Sequence, residues 1–332
     1  MRYRAFFIGG LLLLCGVLVA CNGEPDQDSE ADSAEAGTVL IADKDNDVLY
    51  FVDRATRSTE DSVEVGRGPH EVAVHPTEPR AFVANYEGEG SISVIDLEER
   101  TEIERVDLEP GSAPHGIEVA ADGVAVYITA EGIDSVIEMN TESHEIVRTM
   151  PTDQEGSHML TLSPDGMRVY TANLSAGTAT AIDIPSGAVT EHIETGEGAE
   201  GIAMTHDGSE LWVSNRAEDT VSIIDPQTLE VVDTFEVEGF PLRVYMAPDG
   251  RTALLSCAQA NEVAFVDIGT REVTDRVPTG ETPVGIQITP DGEEAFVGNM
   301  NDGTVTIIDM DARTVDETLE LGSGPDGMAF VE

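Results

Sequence analysis

Lysine is almost missing from this chain: Lys44 is the only one. Lysine and arginine together number 17 against 65 aspartates and glutamates, for a formal net charge of −48. A surface this anionic repels DNA, RNA and anionic lipid headgroups, so nucleic acid is excluded as a partner. The same carboxylates hold water at high salt, where screening relieves their mutual repulsion. The acidity therefore points to a salt-loving source and says little about a ligand.

Cysteine is nearly as scarce. Cys15 and Cys21 fall near the start and Cys257 stands alone beyond them, so the bulk of the chain has no internal disulfide to rely on and must hold by packing. Long apolar runs are missing apart from residues 5–19, which follow Arg2 and Arg4. That run is short for a membrane span, which takes roughly 20 residues. It ends in Leu18-Val19-Ala20-Cys21, which resembles a bacterial lipobox. The expectation is a lipoprotein signal peptide over 1–20, a diacylated Cys21, and an acidic flexible tether over 21–38 that lacks large apolar side chains. Asn22 after Cys21 leans toward the outer membrane or cell surface, an extracytoplasmic site reached through the lipid anchor. Also missing are a Gly-Xaa-Ser-Xaa-Gly elbow, a phosphate-binding glycine loop and a Cys-Xaa-Xaa-Cys-His haem site.

What the chain has is a repeat. Pro-Asp-Gly recurs at 164–166, 248–250 and 290–292, with variants at 121–123, 206–208 and 76–78. Each copy sits between two short β-rich runs, a hairpin signature. Phe82-Val83-Ala84-Asn85, Tyr170-Thr171-Ala172-Asn173, Trp212-Val213-Ser214-Asn215 and Phe296-Val297-Gly298-Asn299 follow, and then an alternating strand ending in aspartate and a fourth strand. Aligning the hairpins makes His70, His115, His158, Glu200, Leu242, Val284 and Asp326 equivalent, at spacings of 45, 43, 42, 42, 42 and 42 residues. Four strands in about 42 residues is the size of a propeller blade. Residues 326–331 read as a first strand and 39–43 as a second, so both termini share one blade. The expected fold is an all-β, seven-bladed propeller over 39–332, with four antiparallel strands per blade.

These motifs resemble the YVTN β-propeller family, named for a tetrapeptide that appears here as Phe82-Val83-Ala84-Asn85 and Trp212-Val213-Ser214-Asn215. The resemblance covers residues 39–332. It implies the fold, and it implies membership of a group that spans binding proteins, cell-surface proteins and metal- or haem-bearing enzymes.

The seven aligned positions are expected to ring the mouth of the central channel. Five neighbouring blades present Asp326, His70, His115, His158 and Glu200, while Leu242 and Val284 complete the circle. Three of the chain's seven histidines on one ring make a divalent metal site, zinc or copper foremost, one reading. A polar ligand mouth without metal and a merely structural turn residue remain the others. Glu71, Tyr86, Glu131, Arg216 and Arg243 are expected to line the mouth, with Arg243 either holding a substrate carboxylate or offsetting neighbouring acids. A second ring of Asp43, Asn85, Ala130, Asn173, Asn215, Cys257 and Asn299 reads as turn-closing. His75, His206, His144 and His192 lie away from the mouth. Two functions are open: a scaffold holding a small molecule or protein at the mouth, with or without a metal, and, alternatively, what the resemblance to seven-bladed relatives implies, a metal-dependent lyase, lactonase or oxidoreductase with Glu71, Glu131 or Glu200 as acid or base.

Overall fold

The four-strand unit read from the sequence recurs seven times. The structure, a computed structural model, describes residues 36–332. The expected signal peptide, the lipidated Cys21 and most of the tether therefore lie outside the described residues. Among the described residues, 28 strands, numbered β1 to β28 in chain order, form seven four-stranded antiparallel sheets, with a single 3-10 turn at Glu131–Ile133. One sheet runs β28-β1-β2-β3, so Pro325–Val331 (β28) is the inner strand beside Thr38–Asp43 (β1). The first and last described strands are thus paired by backbone hydrogen bonds and the ring is closed without a free inner edge.

Strand chemistry tracks radial position. Glu294–Asn299 (β25) is a second strand enclosed between neighbouring blades, and Ala295, Phe296 and Val297 are fully buried. Glu230–Glu236 (β19) is an outermost strand, EVVDTFE, and it faces solvent along most of its length. Carboxylates on such outer strands discourage edge-to-edge pairing between molecules. The Pro-Asp-Gly turns close by the same chemistry. In one of them Asp249 Oδ1 accepts from the backbone N–H of Arg251 at 2.8 Å and Thr252 at 2.9 Å, while Gly250 takes a φ of +65°.

The few arginines bridge blades. Arg54, buried in the first blade, donates to Asp291 and Glu294 of the last, each at 2.6 Å. Arg271 lies over the buried Trp212 ring at 5.1 Å and Arg313 over Phe265 at 5.5 Å. The asparagine ring ties second strands to third. Asn85 donates to Ser91 and Ser93, Asn173 to Thr178 and Thr180, Asn215 to Thr220 and Ser222, and Asn299 to Thr304 and Thr306.

Every inner strand carries a bulge at its mouth end. In Pro69–Val74 (β4) the register passes from Pro69 opposite Asn85 to Glu71 opposite Ala84, which leaves His70 unpaired. His158 is left out of the ladder in Ser157–Leu162 (β12) and Leu242 in Pro241–Met246 (β20) in the same way. A bulge frees one side chain from the pleat and re-aims it. Repeated around the ring, it presents one residue per blade at the channel mouth.

Candidate functional site

The residue after each bulged position sets the floor of the mouth. In four blades it is Gly116, Gly201, Gly285 or Gly327. A Cβ on Gly201 would lie 2.5 Å from Leu242 O and 2.8 Å from Arg243 Cα, and one on Gly116 would lie 3.0 Å from Leu160 N and Met159 Cα. On Gly285 and Gly327 it would strike the carbonyls of Asp326 and His70. Inner strands crowd so closely that these four must forgo a side chain. The other three blades carry Glu71, Met159 and Arg243, so three side chains alone enter the channel at this depth.

Two of them meet. Arg243 Nη2 donates to Glu71 Oε1 at 3.2 Å, and Arg243 Nη1 to Glu200 Oε1 at 2.9 Å. Arg216 donates to the other Glu200 oxygen. Arg243, Glu71 and Glu200 are all buried, at 4%, 7% and 4% exposure, so this chain of ion pairs forms a septum across the channel.

Above the septum the histidines stack. The rings of His70 and His115 are 4.8 Å apart and those of His115 and His158 are 3.8 Å apart, with Tyr86 4.8 Å from His70. His158 lies between two carboxylates: Nδ1 is 2.9 Å from Glu131 Oε2 and Nε2 is 3.4 Å from Glu200 Oε1. The 3-10 turn that follows Ala125–Ala130 (β9) delivers Glu131 to this position. His70 Nδ1 donates to Gly68 O at 2.9 Å, which leaves Nε2 as the acceptor, 4.0 Å from Asp326. Leu242 and Val284 pack with Ala258 and make the far side of the mouth apolar.

The stack is electrostatically uneven. Burial and then the neighbouring imidazoles hold His115 well below the ordinary histidine pKa. Burial lowers His70 as well, against the pull of Asp326 and Gly68 O. Burial would lower His158 too, but its hydrogen bonds to Glu131 and Glu200 outweigh that and raise it. Glu200 is brought down to about 2, because His158, Arg243 and Arg216 overcome the desolvation that favours its neutral form. Glu71 is pushed up, by burial first and Asp326 in addition, against Arg243. An imidazole held low and one held high thus lie 3.8 Å apart with their rings tilted by 37°, and pushing neighbouring groups apart in this way is how a site can separate a base from an acid.

All five expected ring residues and all five expected lining residues meet at this mouth. His70 turns to Gly68 O and Asp326, and His158 to Glu131 and Glu200. Among the described residues no group of three or more His, Cys, Asp or Glu side chains is placed to hold one metal ion. Three buried polar atoms here have no protein partner: His115 Nδ1, Arg243 Nε and Asp326 Oδ1. Such orphans at a concave site are the mark of a bound polar group or water. His75, His144, His192 and His206 lie elsewhere; His75 bridges two turns through Gly123 O at 2.8 Å. Sequence reading overlooked the septum. Its signal was the glycine after four of the seven ring residues, which singles out Glu71, Met159 and Arg243 as the side chains that remain.

Fold and site together define a seven-bladed propeller whose central mouth is lined by histidines, carboxylates and arginines. The family model described as "Lactonase, 7-bladed beta-propeller" matches residues 26–272, and the chain belongs to that family. No curated protein matches it. Among solved structures, Kuenenia stuttgartiensis hydrazine synthase superposes with a TM-score of 0.72 at 23% identity, covering 82% of this chain and 92% of that one. The periplasmic gluconolactonase of Pseudomonas aeruginosa gives 0.72 at 16% identity, with 89% and 99% covered. A functionally unknown protein from Desulfotomaculum acetoxidans gives 0.78 at 12% identity, with 90% and 99% covered. At these identities the likeness is one of fold.

Proposed function

We propose that the mouth hydrolyses a small polyhydroxylated lactone. The observation that carries this is one ring stack that holds His70, with Nδ1 on Gly68 O and Nε2 left as acceptor, and His158, pinned between Glu131 and Glu200. Family membership supports it, as does the gluconolactonase among the similar folds.

Lactone opening needs a base to activate water, a donor for the carbonyl oxygen and an acid for the leaving ring oxygen. In the proposed step His70 Nε2 takes a proton from water and the water oxygen bonds to the carbonyl carbon. The carbonyl electron pair moves to oxygen, where Arg216 and the unpaired Arg243 Nε–H receive it. The tetrahedral adduct collapses, the ring C–O bond breaks, and His158 gives its proton to the departing alkoxide. The product is a hydroxy acid. Glu131 and Glu200 are positioning residues, which hold His158 charged. The expected lipid on Cys21 would keep this chemistry at the cell envelope.

The test is acid release from glucono-δ-lactone by the purified protein in high salt, with the spontaneous rate subtracted. The expectation is turnover that falls about 10²–10⁴-fold in His158→Gln, the usual weight of a general acid. A variant as fast as the parent, or a parent no faster than buffer, rejects the reading. Repeating the assay with chelator addresses the metal reading: loss of turnover on chelation, restored by zinc or copper, would transfer His70, His115, His158, Glu200 and Asp326 to a metal centre.

A further inference from the structure

Beyond the septum the channel widens into a chamber of about 310 Å³. None of the seven ring residues lines it. Its walls begin at Glu71, Met159 and Arg243 and extend to His206, in the turn at the other end of the inner strand Ala199–Met204 (β16). The mouth and this chamber are therefore separate spaces on opposite sides of the Glu71–Arg243 pair. The volume is at the small end of the range for ligand pockets.

Part of the wall is apolar and soft. Four of the nine methionines among the described residues line it, Met159, Met204, Met246 and Met328, with Ile117 and Ile202 between them. Unbranched thioether side chains adapt to an irregular apolar guest. Against them stands Glu118, a half-buried carboxyl on the inner strand Pro114–Val119 (β8); the wall's other carboxyl, Glu71, is held by Arg243. Its Oε2 accepts from Leu162 N at 3.2 Å. None of the ion pairs among the described residues involves it, although the chain spends its scarce arginines on many others. Besides Glu118, the titratable groups facing the chamber are Glu71, Arg243, Tyr245 and His206. Arg243 is committed to Glu71 and Glu200, and His206 Nε2 lies 3.1 Å from Ala247 O at the far rim. Burial pushes Glu118 up to about 7, as a carboxyl does when no cation answers it.

We infer that this chamber binds a small apolar amine, its hydrocarbon body against the methionines and its ammonium on Glu118. A methionine-rich wall beside a half-buried carboxyl that no cation pairs favours that ligand over the alternatives. An anion would meet Glu118 and Glu71 together. A neutral alcohol would leave Glu118 without a counter-charge. An ammonium lets Glu118 ionise and gives it the counter-charge that the protein does not supply, beside the bonds it accepts from Leu162 N and the Thr161 side chain.

The experiment is calorimetric titration of the purified full chain in high salt with hexylamine, hexanol and hexanoate as probes. Hexylamine is expected to saturate one site, to bind at least about tenfold more tightly than the other two, and to bind more tightly at pH 8 than at pH 6. Glu118→Gln, which keeps shape and hydrogen bonds, is expected to erase the preference for the amine. Met204→Phe, which fills the chamber, is expected to abolish binding even if Glu118→Gln does not fold. His158→Gln is expected to bind hexylamine like the parent, so failure of the lactonase reading would leave this result intact. Equal binding of the three probes, no binding of hexylamine, or a folded Glu118→Gln with undiminished preference would overturn the inference.

Discussion

The imidazoles of His115 and His158 lie 3.8 Å apart, centroid to centroid, and the structure drives their protonation in opposite directions. Two equal rings in contact would share one fate. The asymmetry comes from their partners: His158 has a carboxylate at each nitrogen, whereas His115 Nδ1 has none. One mouth thus holds proton acceptor and proton donor at the same pH.

A bell-shaped pH–rate profile follows for lactone opening. His70, the base, works only when neutral, and its pKa lies below the ordinary 6.5; His158, the acid, works only when charged, and its pKa lies above it. The plateau should therefore straddle pH 6.5. Glu131→Gln removes one of the two charges that hold His158 protonated, so its alkaline limb should move to lower pH while the acid limb stays. Initial rates from pH 5 to 9 read both limbs. An unmoved alkaline limb would remove His158 from the role of acid.

Acid stability should depend on Glu200. Its folded pKa is about 2 against 4.5 for a free glutamate. A lowered carboxylate stabilises the fold above its unfolded pKa, and this contribution is lost as pH falls through the folded value. Melting temperatures taken from pH 5 down to pH 2 should drop more steeply in the parent than in Glu200→Gln. At pH 7 the order should be plain, with the variant the less stable. Parallel curves would mean that Glu200 does not carry the charge placed on it here.

Removing the cation of the septum should be costly. Arg243 is 4% exposed and stands between Glu71 and Glu200. Arg243→Met leaves two buried carboxyls with one fewer counter-charge, and breaking such a pair typically costs about 3–5 kcal/mol. Adding Glu71→Gln removes half of the problem, so the double variant should recover part of the loss. Denaturant unfolding of the three proteins measures it. A double variant that is merely the sum of two losses would show that Glu71 and Arg243 are not coupled.

The sequence exposed what repeats. Blade number, the shared terminal blade and the ring at the mouth could all be read because the bulge falls at the same place in every inner strand, next to recurring turn residues. Depth within the channel could not. The contact between Glu71 and Arg243 joins residues 172 apart in the chain, and nothing local in either strand points to the other. Pairwise geometry was equally hidden. Three histidines on a ring suggested convergence on an ion, but the spacing of the blades stacks their rings and turns His158 toward Glu131 and Glu200. Glu118 gave no signal at all: it is one of 65 acids in the chain, and only the closed ring puts it inside.

The alternation of glycine with larger residues below the mouth makes its own prediction. The penalty at Gly201 is steric, since the Cβ of Gly201→Ala would sit 2.5 Å from Leu242 O and 2.7 Å from Ser214 Oγ. Two adjoining inner strands would have to separate, and the Arg243 that follows Leu242 would move with its strand. Overpacking of this kind typically costs about 1–3 kcal/mol. Because the displaced strand carries Arg243, Gly201→Ala should also weaken lactone turnover, although residue 201 touches no substrate. Gly269→Ala is the control: its Cβ would meet only Asp267 Oδ1, at 3.4 Å, and it should match the parent in both respects. Thermal melts and initial rates on the two variants decide the point. A Gly201→Ala protein as stable and as fast as Gly269→Ala would mean that the inner strands are not held at the distance on which the septum depends.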